Sequence, residues 1–201
     1  QLNGDPDEDL SALIMGGLAQ AQVFTAMAVS EQGAIHTFWL DTRGMTESMR
    51  AALYYRRSDD GGARFEEEVR LQENDQCPCC QVSAVTSGPS SLFVSARQIT
   101  GDNIRTPTVI LSGDNGASFG APVETGGTPW RLEGCPLKLT AMATTPDTIH
   151  SLVHNGAEDP PGLLYARAVQ RDMSFLPPQK IHPEAAVSDS PAMASIGATL
   201  L

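Results

Sequence analysis

The sequence predicts an all-β fold assembled from repeats of one four-stranded antiparallel unit. Two observations carry this. Ser58-Asp59-Asp60-Gly61-Gly62-Ala63-Arg64-Phe65 and Ser112-Gly113-Asp114-Asn115-Gly116-Ala117-Ser118-Phe119 both read S-x-D-x-G-x-x-F, with their phenylalanines 54 residues apart. Self-similarity at such a period marks a fold built from one supersecondary unit. The apolar runs around these peptides are short and punctuated by turn residues, with 18 glycines and 14 prolines in 201 residues. That is the pattern of many short strands separated by turns.

The elements follow in order. In the first unit, residues 24–29 read as an inner strand, 34–40 as the second and 53–57 as the third. The shared peptide then turns the chain into a short fourth strand near 69–71. In that peptide glycine supplies a positive φ, Asp and Ser bond nearby amides, and the aromatic anchors the turn. The second unit repeats the series at 81–85, 92–96, 106–111 and 121–123. The third runs through 137–142, 148–153 and 163–167. A third copy of the turn peptide ends at Phe175, 56 residues after Phe119, with its Ser, Asp and Gly lost. A fourth unit opens at 191–196 and turns at Gly197.

The repeated peptide resembles the Asp box, or bacterial neuraminidase repeat, of sialidase-like β-propellers, where it joins the third and fourth strands of a blade. The resemblance implies one propeller domain with blades at about 10–75, 76–130 and 131–185, and a partial blade at 186–201. It implies six blades, of which about three and a half are visible. An open ring exposes strand edges, so the expectation is a longer protein, or a partner chain that completes the ring. The turn residues Ser58, Asp60, Gly62, Phe65, Ser112, Asp114, Gly116 and Phe119 are read as structural.

The net charge of −11 and a pI near 4.6 argue against nucleic acid and anionic membrane surfaces as partners. No apolar run approaches the ~20 residues of a membrane helix. No signal peptide is visible, and a mature secreted protein would have lost one.

Four cysteines lie in two loops that enter blades: Cys77-Pro78-Cys79-Cys80 and Gly134-Cys135-Pro136. Both loops are expected on the face where the central channel opens. Disulfides in an oxidising compartment are one reading, with three possible connectivities. Clustered thiolates also suit copper(I) or zinc, and free redox-active thiols are the third reading. Together with Trp130, five residues before Cys135, these loops are similar to a cysteine-containing subgroup of bacterial sialidase-like repeat proteins. A periplasmic or extracellular location is expected.

For a sialidase the resemblance implies an arginine triad on the substrate carboxylate, a Tyr nucleophile helped by a Glu, and an Asp acid/base. The family's Arg-Ile-Pro motif is absent. Arg43, Arg97, Arg105, Arg131 and Arg167 are candidate arginines, none in a diagnostic motif. Tyr54, Tyr55 and Tyr165 fall in third strands and read as packing. His36 and His150 share one slot and read as structural. Trp130, Arg131, Arg43 and His182 are the ligand-binding candidates, since an aromatic and a guanidinium on a channel face can stack a flat ligand. Asp41 and Arg43 also read as a turn-stabilising ion pair. The expectation is a propeller that binds a carbohydrate or protein through its channel-mouth face without hydrolysing it. The alternatives are an exo-α-sialidase-type hydrolase and a thiolate metal site.

Overall fold

The computed structural model describes residues 21–45, 49–134, 136–183 and 190–201. Cys135 lies outside the described residues, as do 10–20 of the expected first blade and 186–189 of the fourth. The described residues form strands and no helix. The first unit is the meander β1 (Gln22–Val29), β2 (Ile35–Asp41), β3 (Ala51–Ser58) and β4 (Val69–Gln76). The second is β5 (Ser83–Ser87), β6 (Ser91–Thr100), β7 (Ile104–Ser112) and β8 (Val123–Glu124). The third is β9 (Ala141–Thr145), β10 (Thr148–Asn155), β11 (Gly162–Val169) and β12 (Gln179–Pro183). A two-stranded ribbon, β13 (Ser195–Ile196) and β14 (Thr199–Leu200), follows. All pairings are antiparallel, and one pair, Gln76 with Gln98, joins the first two units.

The repeated peptide sets the register of each unit. Ile35 faces Ser58, Leu92 faces Ser112 and Ile149 faces Ala168. The decayed third copy therefore starts on the same rung as the two intact ones. One residue past each aromatic the chain closes on itself through a backbone bond: Glu66 to Arg57, Gly120 to Leu111 and Leu176 to Arg167, at 2.8, 2.9 and 2.9 Å. In the intact copies Ser Oγ donates to the Asp carboxylate and accepts from the Gly62 or Gly116 amide, and the same carboxylate accepts the Arg64 or Ser118 amide. These bonds, the Ser118 hydroxyl first, hold Asp114 at about 2.

The units pack side by side with their first strands adjacent. Thr86 Oγ1 donates to Val29 O, Thr144 Oγ1 to Thr86 O and Ser195 Oγ to Thr144 O. This chain of hydroxyls stitches β1, β5, β9 and β13 in sequence. β6 is buried on both faces. Leu92, Val94 and Ala96 join Phe38, Leu40, Leu53 and Tyr55 of the first unit, while Phe93 joins Met142, Ile149 and Ala168 of the third. Phe119 tucks against Tyr55 at 4.8 Å and Phe38 at 6.2 Å, edge-on. Phe65 instead is 40% exposed, because no unit precedes its own among the described residues.

His36 and His150 occupy matching rungs, as expected, and both serve the fold. His36 Nδ1 shares a hydrogen bond with Tyr55 Oη at 2.8 Å, and His150 Nδ1 shares one with Tyr165 Oη at 2.7 Å. Burial is the main cause lowering both imidazoles from their ordinary 6.5. The folded state then binds fewer protons than the unfolded state as pH falls through that value, so stability is full above it and declines below it. The denaturant midpoint is expected to fall between about pH 7 and pH 5, before any carboxylate titrates. A flat midpoint over that window would refute it.

Two strands start later than expected: the one expected at 191–196 is confined to Ser195–Ile196, and the one expected at 137–142 is shortened as well. Residues 137–140 pair with no strand; β9 begins at Ala141. Leu137 has φ of +53°, in the left-handed region, which breaks the extended backbone there.

Candidate ligand-binding site

The strand ends opposite the repeated turns build the site. β5 begins at Ser83 opposite Ser95, so the last residues of β6 run past it. Residues 77–82 fold over that overhang, and the Cys77 amide donates to Arg97 O at 2.8 Å. β10 likewise outruns β9, whose first residue, Ala141, faces Leu152. Counting on from the shared rungs, Leu40, Arg97 and His154 occupy one position in three successive units. The first unit fills it with a core leucine. The second and third place a cation and an imidazole there, and the Arg97 guanidinium donates to His154 O at 3.4 Å.

Trp130 completes the cluster. Its ring lies edge-on to His154 at 5.5 Å, and the Arg97 guanidinium sits over it at 5.7 Å. The loop that carries it is held by Arg105: the Arg105 amide donates to Trp130 O, and Nη2 donates to Leu132 O and Gly134 O at 3.1 and 2.9 Å. A cavity of about 260 Å³ opens beside Arg105, lined also by Thr106, Glu124, Thr128, Pro129 and Asn155.

The electrostatics of this face run against those of the whole chain. Arg97, Arg105 and Lys138 are all buried, at 3, 8 and 9% exposure. Arg97 and Arg105 have no carboxylate partner among the described residues. Arg97 Nε, Arg105 Nε and Nη1, and both ring nitrogens of His154, are buried without a hydrogen-bond partner there. Burial lowers the Arg97 guanidinium, and burial followed by the charges of Lys138 and Arg97 lowers His154. A buried cation lacking a counter-charge is costly unless an anion meets it.

Two thiols share this environment. Cys77 and Cys80, expected in disulfides, are free and buried. Their sulfurs lie 3.2 Å apart, well beyond the roughly 2.05 Å of a bond. Cys79 between them has an interaction of its own.

The other sequence candidates divide. Trp130 is in the cluster. Arg43 is not: it pairs with Asp41 at 2.6 Å and Glu68 at 2.7 Å and covers the Tyr54 ring. Burial opposes ionisation of Asp41, but hydrogen bonds from the Arg43 side chain and amide and from Trp39 outweigh it and hold the carboxyl low. Arg131 is exposed and pairs with Asp102 and Glu133. His182 stands on the outermost strand β12 opposite Leu163. Arg97 and Arg105 are among the candidate arginines of the sequence but not among its ligand-binding candidates. The available clue was the 57-residue spacing that aligns positions 40, 97 and 154.

The chain is similar to a Hadza microbial sialidase, at 17% identity over 84% of this chain and 35% of that one, with a TM-score of 0.58. It is also similar to an α-L-arabinofuranosidase of Fusarium graminearum solved with an iminosugar inhibitor, at 13% identity, 84% and 51% coverage, and a TM-score of 0.60. The fold is a β-propeller. A family 117 glycoside hydrolase of Zobellia galactanivorans matches at 11% identity, 90% and 58% coverage, and a TM-score of 0.50. The chain thus spans between about a third and three-fifths of these propellers. At such identities the likeness is one of fold. No protein-family model matches the chain, and no curated protein matches it.

Proposed function

We propose that this chain is part of a sialidase-like propeller, its repeated turns being Asp boxes, that binds a carboxylate-bearing sugar at the cysteine-bearing face without hydrolysing it. The observation that carries the reading is the pair of buried guanidiniums, Arg97 and Arg105, with Arg97 Nε and Arg105 Nε and Nη1 left without hydrogen-bond partners among the described residues. A guanidinium fork suits a carboxylate. Trp130 beside Arg97 supplies an apolar face for a sugar ring, and the cavity at Arg105 supplies volume. The reading places the protein in the periplasm or outside the cell, where glycans are met.

A glycoside hydrolase is the second reading, favoured by the solved structures the fold resembles. The tyrosines count against it. Tyr55 and Tyr165 hydroxyls are bonded to His36 and His150, and Tyr54 stacks on Trp39 beneath Arg43. Titration calorimetry of the full-length protein with N-acetylneuraminate and with uncharged N-acetylmannosamine separates the readings, together with a fluorogenic sialoside assayed from about pH 4 to pH 8. Binding of the acid sugar alone, with no turnover, is expected. Turnover would establish the hydrolase; silence toward both sugars would remove the binding reading.

A further inference from the structure

We infer that Cys77 and Cys80 are a redox-active dithiol whose oxidation strips negative charge from Arg97 and Arg105 and so turns on anion binding at this face. The redox pair stands on its own geometry; the gating rests on the ligand-binding reading above.

The two cysteines form a C-x-x-C pair, closed by a backbone bond from the Cys80 amide to Cys77 O at 3.3 Å. The Cys80 thiol donates to Cys77 Sγ at 3.2 Å. Both are 1% exposed and packed on Ile99. An apolar pocket alone would keep both thiols protonated. Here the hydrogen bond from Cys80 comes first, and the charges of Arg105 and Arg97 add to it, so Cys77 is pulled toward the thiolate. Cys80, as the donor, is pushed the other way. Arg97 is tied to this turn through its carbonyl, which accepts the Cys77 amide. One sulfur is thus prepared as a nucleophile and the other as the resolving thiol.

The chemistry balances with a peroxide as oxidant. The Cys77 thiolate attacks one peroxide oxygen and the O–O bond breaks. Cys77 becomes a sulfenic acid, and hydroxide leaves to take up a proton as water. The Cys80 sulfur then attacks Cys77 Sγ, the S–O bond breaks, and the oxygen leaves with the Cys80 proton as a second water. Two thiols are oxidised and one peroxide is reduced. A dithiol reductant reverses the step by thiol–disulfide exchange. The sulfurs need approach by only about 1.2 Å to reach bonding distance.

In the reduced state Cys77 Sγ, pulled toward the thiolate by the Cys80 hydrogen bond and by Arg105 and Arg97, offers the buried guanidiniums negative charge. The disulfide is neutral. Arg97 and Arg105 then face a site with no negative group paired to them among the described residues, and an external anion takes the thiolate's place. Linkage makes the effect reciprocal: a bound anion protects the disulfide from reduction by the same factor.

The test uses the full-length protein. After treatment with hydrogen peroxide, remaining thiols are alkylated in denaturant and the 71–97 peptide is mapped. A Cys77–Cys80 link, reversed by dithiothreitol and lost in Cys77→Ser and in Cys80→Ser, is expected. Reduced and oxidised proteins are then titrated with sulfate and with N-acetylneuraminate, and the oxidised form is expected to bind at least about tenfold tighter. Two thiols that stay alkylatable in the wild type, or zinc or copper bound stoichiometrically by both, overturn the redox pair. Equal affinity in the two forms overturns the gating and leaves the ligand-binding reading intact. No binding in either form overturns the gating together with that reading, while the mapped link keeps the redox pair.

Discussion

Gly116→Ala lowers stability by about 3 kcal/mol or more, while the matching substitution Gly62→Ala costs only about 1–2 kcal/mol. The two glycines hold the same position in the two intact turns, with φ of +86° and +89°, so the left-handed penalty is common to both. The surroundings differ. A Cβ on Gly62 meets only Ile35 Cδ1 at 3.5 Å, an ordinary contact. A Cβ on Gly116 overlaps the Tyr55 hydroxyl and comes 3.0 Å from Tyr55 Cζ and 3.1 Å from His36 Nδ1. Those atoms belong to a buried pair that also holds Asn115, through His36 Nε2 at 3.1 Å. The second turn is therefore docked into the first unit, and a methyl there pushes two units apart. Tyr55→Phe in the Gly116→Ala background removes the worst overlap, so the double variant should recover part of the loss and be non-additive. Urea unfolding of the four proteins measures this. Equal losses for Gly62→Ala and Gly116→Ala would refute the docking argument.

The same contrast shows what the sequence made legible. The turn peptides, their period and the equivalence of His36 and His150 could be read directly, because hairpin chemistry is local and side-chain alternation follows the register. Even the decayed copy ending at Phe175 could be placed, since Phe175 still packs in the second core. The site was a different matter. Arg97 follows the apolar run 92–96 as one of several candidate arginines, in no diagnostic motif; it is buried because residues 77–82 fold back over it and Trp130 comes from a loop 33 residues on. Arg43 and Arg131 are the arginines the sequence put forward as ligand-binding candidates, and nearby carboxylates neutralise both. Cys77 and Cys80 were visible as part of a cluster, but their pairing needed the turn that brings their sulfurs together.

Arg97→Met separates stability from function. Arg97 is 3% exposed, has no carboxylate partner among the described residues and leaves Nε unpaired. Removing this lone buried cation lifts its desolvation cost and strands no carboxylate, and Cys77 can take up a proton once its positive neighbour is gone. Arg97→Met should therefore keep or raise the Tm, yet lose N-acetylneuraminate binding by about a hundredfold or more, since a desolvated guanidinium–carboxylate contact is worth roughly 3 kcal/mol. It should also move alkylation of Cys77 to higher pH, because the thiolate loses a positive neighbour. Arg43→Met behaves in the opposite way. Arg43 neutralises Asp41, which is 2% exposed, so its loss strands a buried carboxylate and costs about 1–3 kcal/mol, with binding unchanged. Calorimetric titration and thermal unfolding of both variants decide the matter. If Arg97→Met is the destabilised variant and still binds, the cation is a structural member of the core and the site lies elsewhere on the propeller.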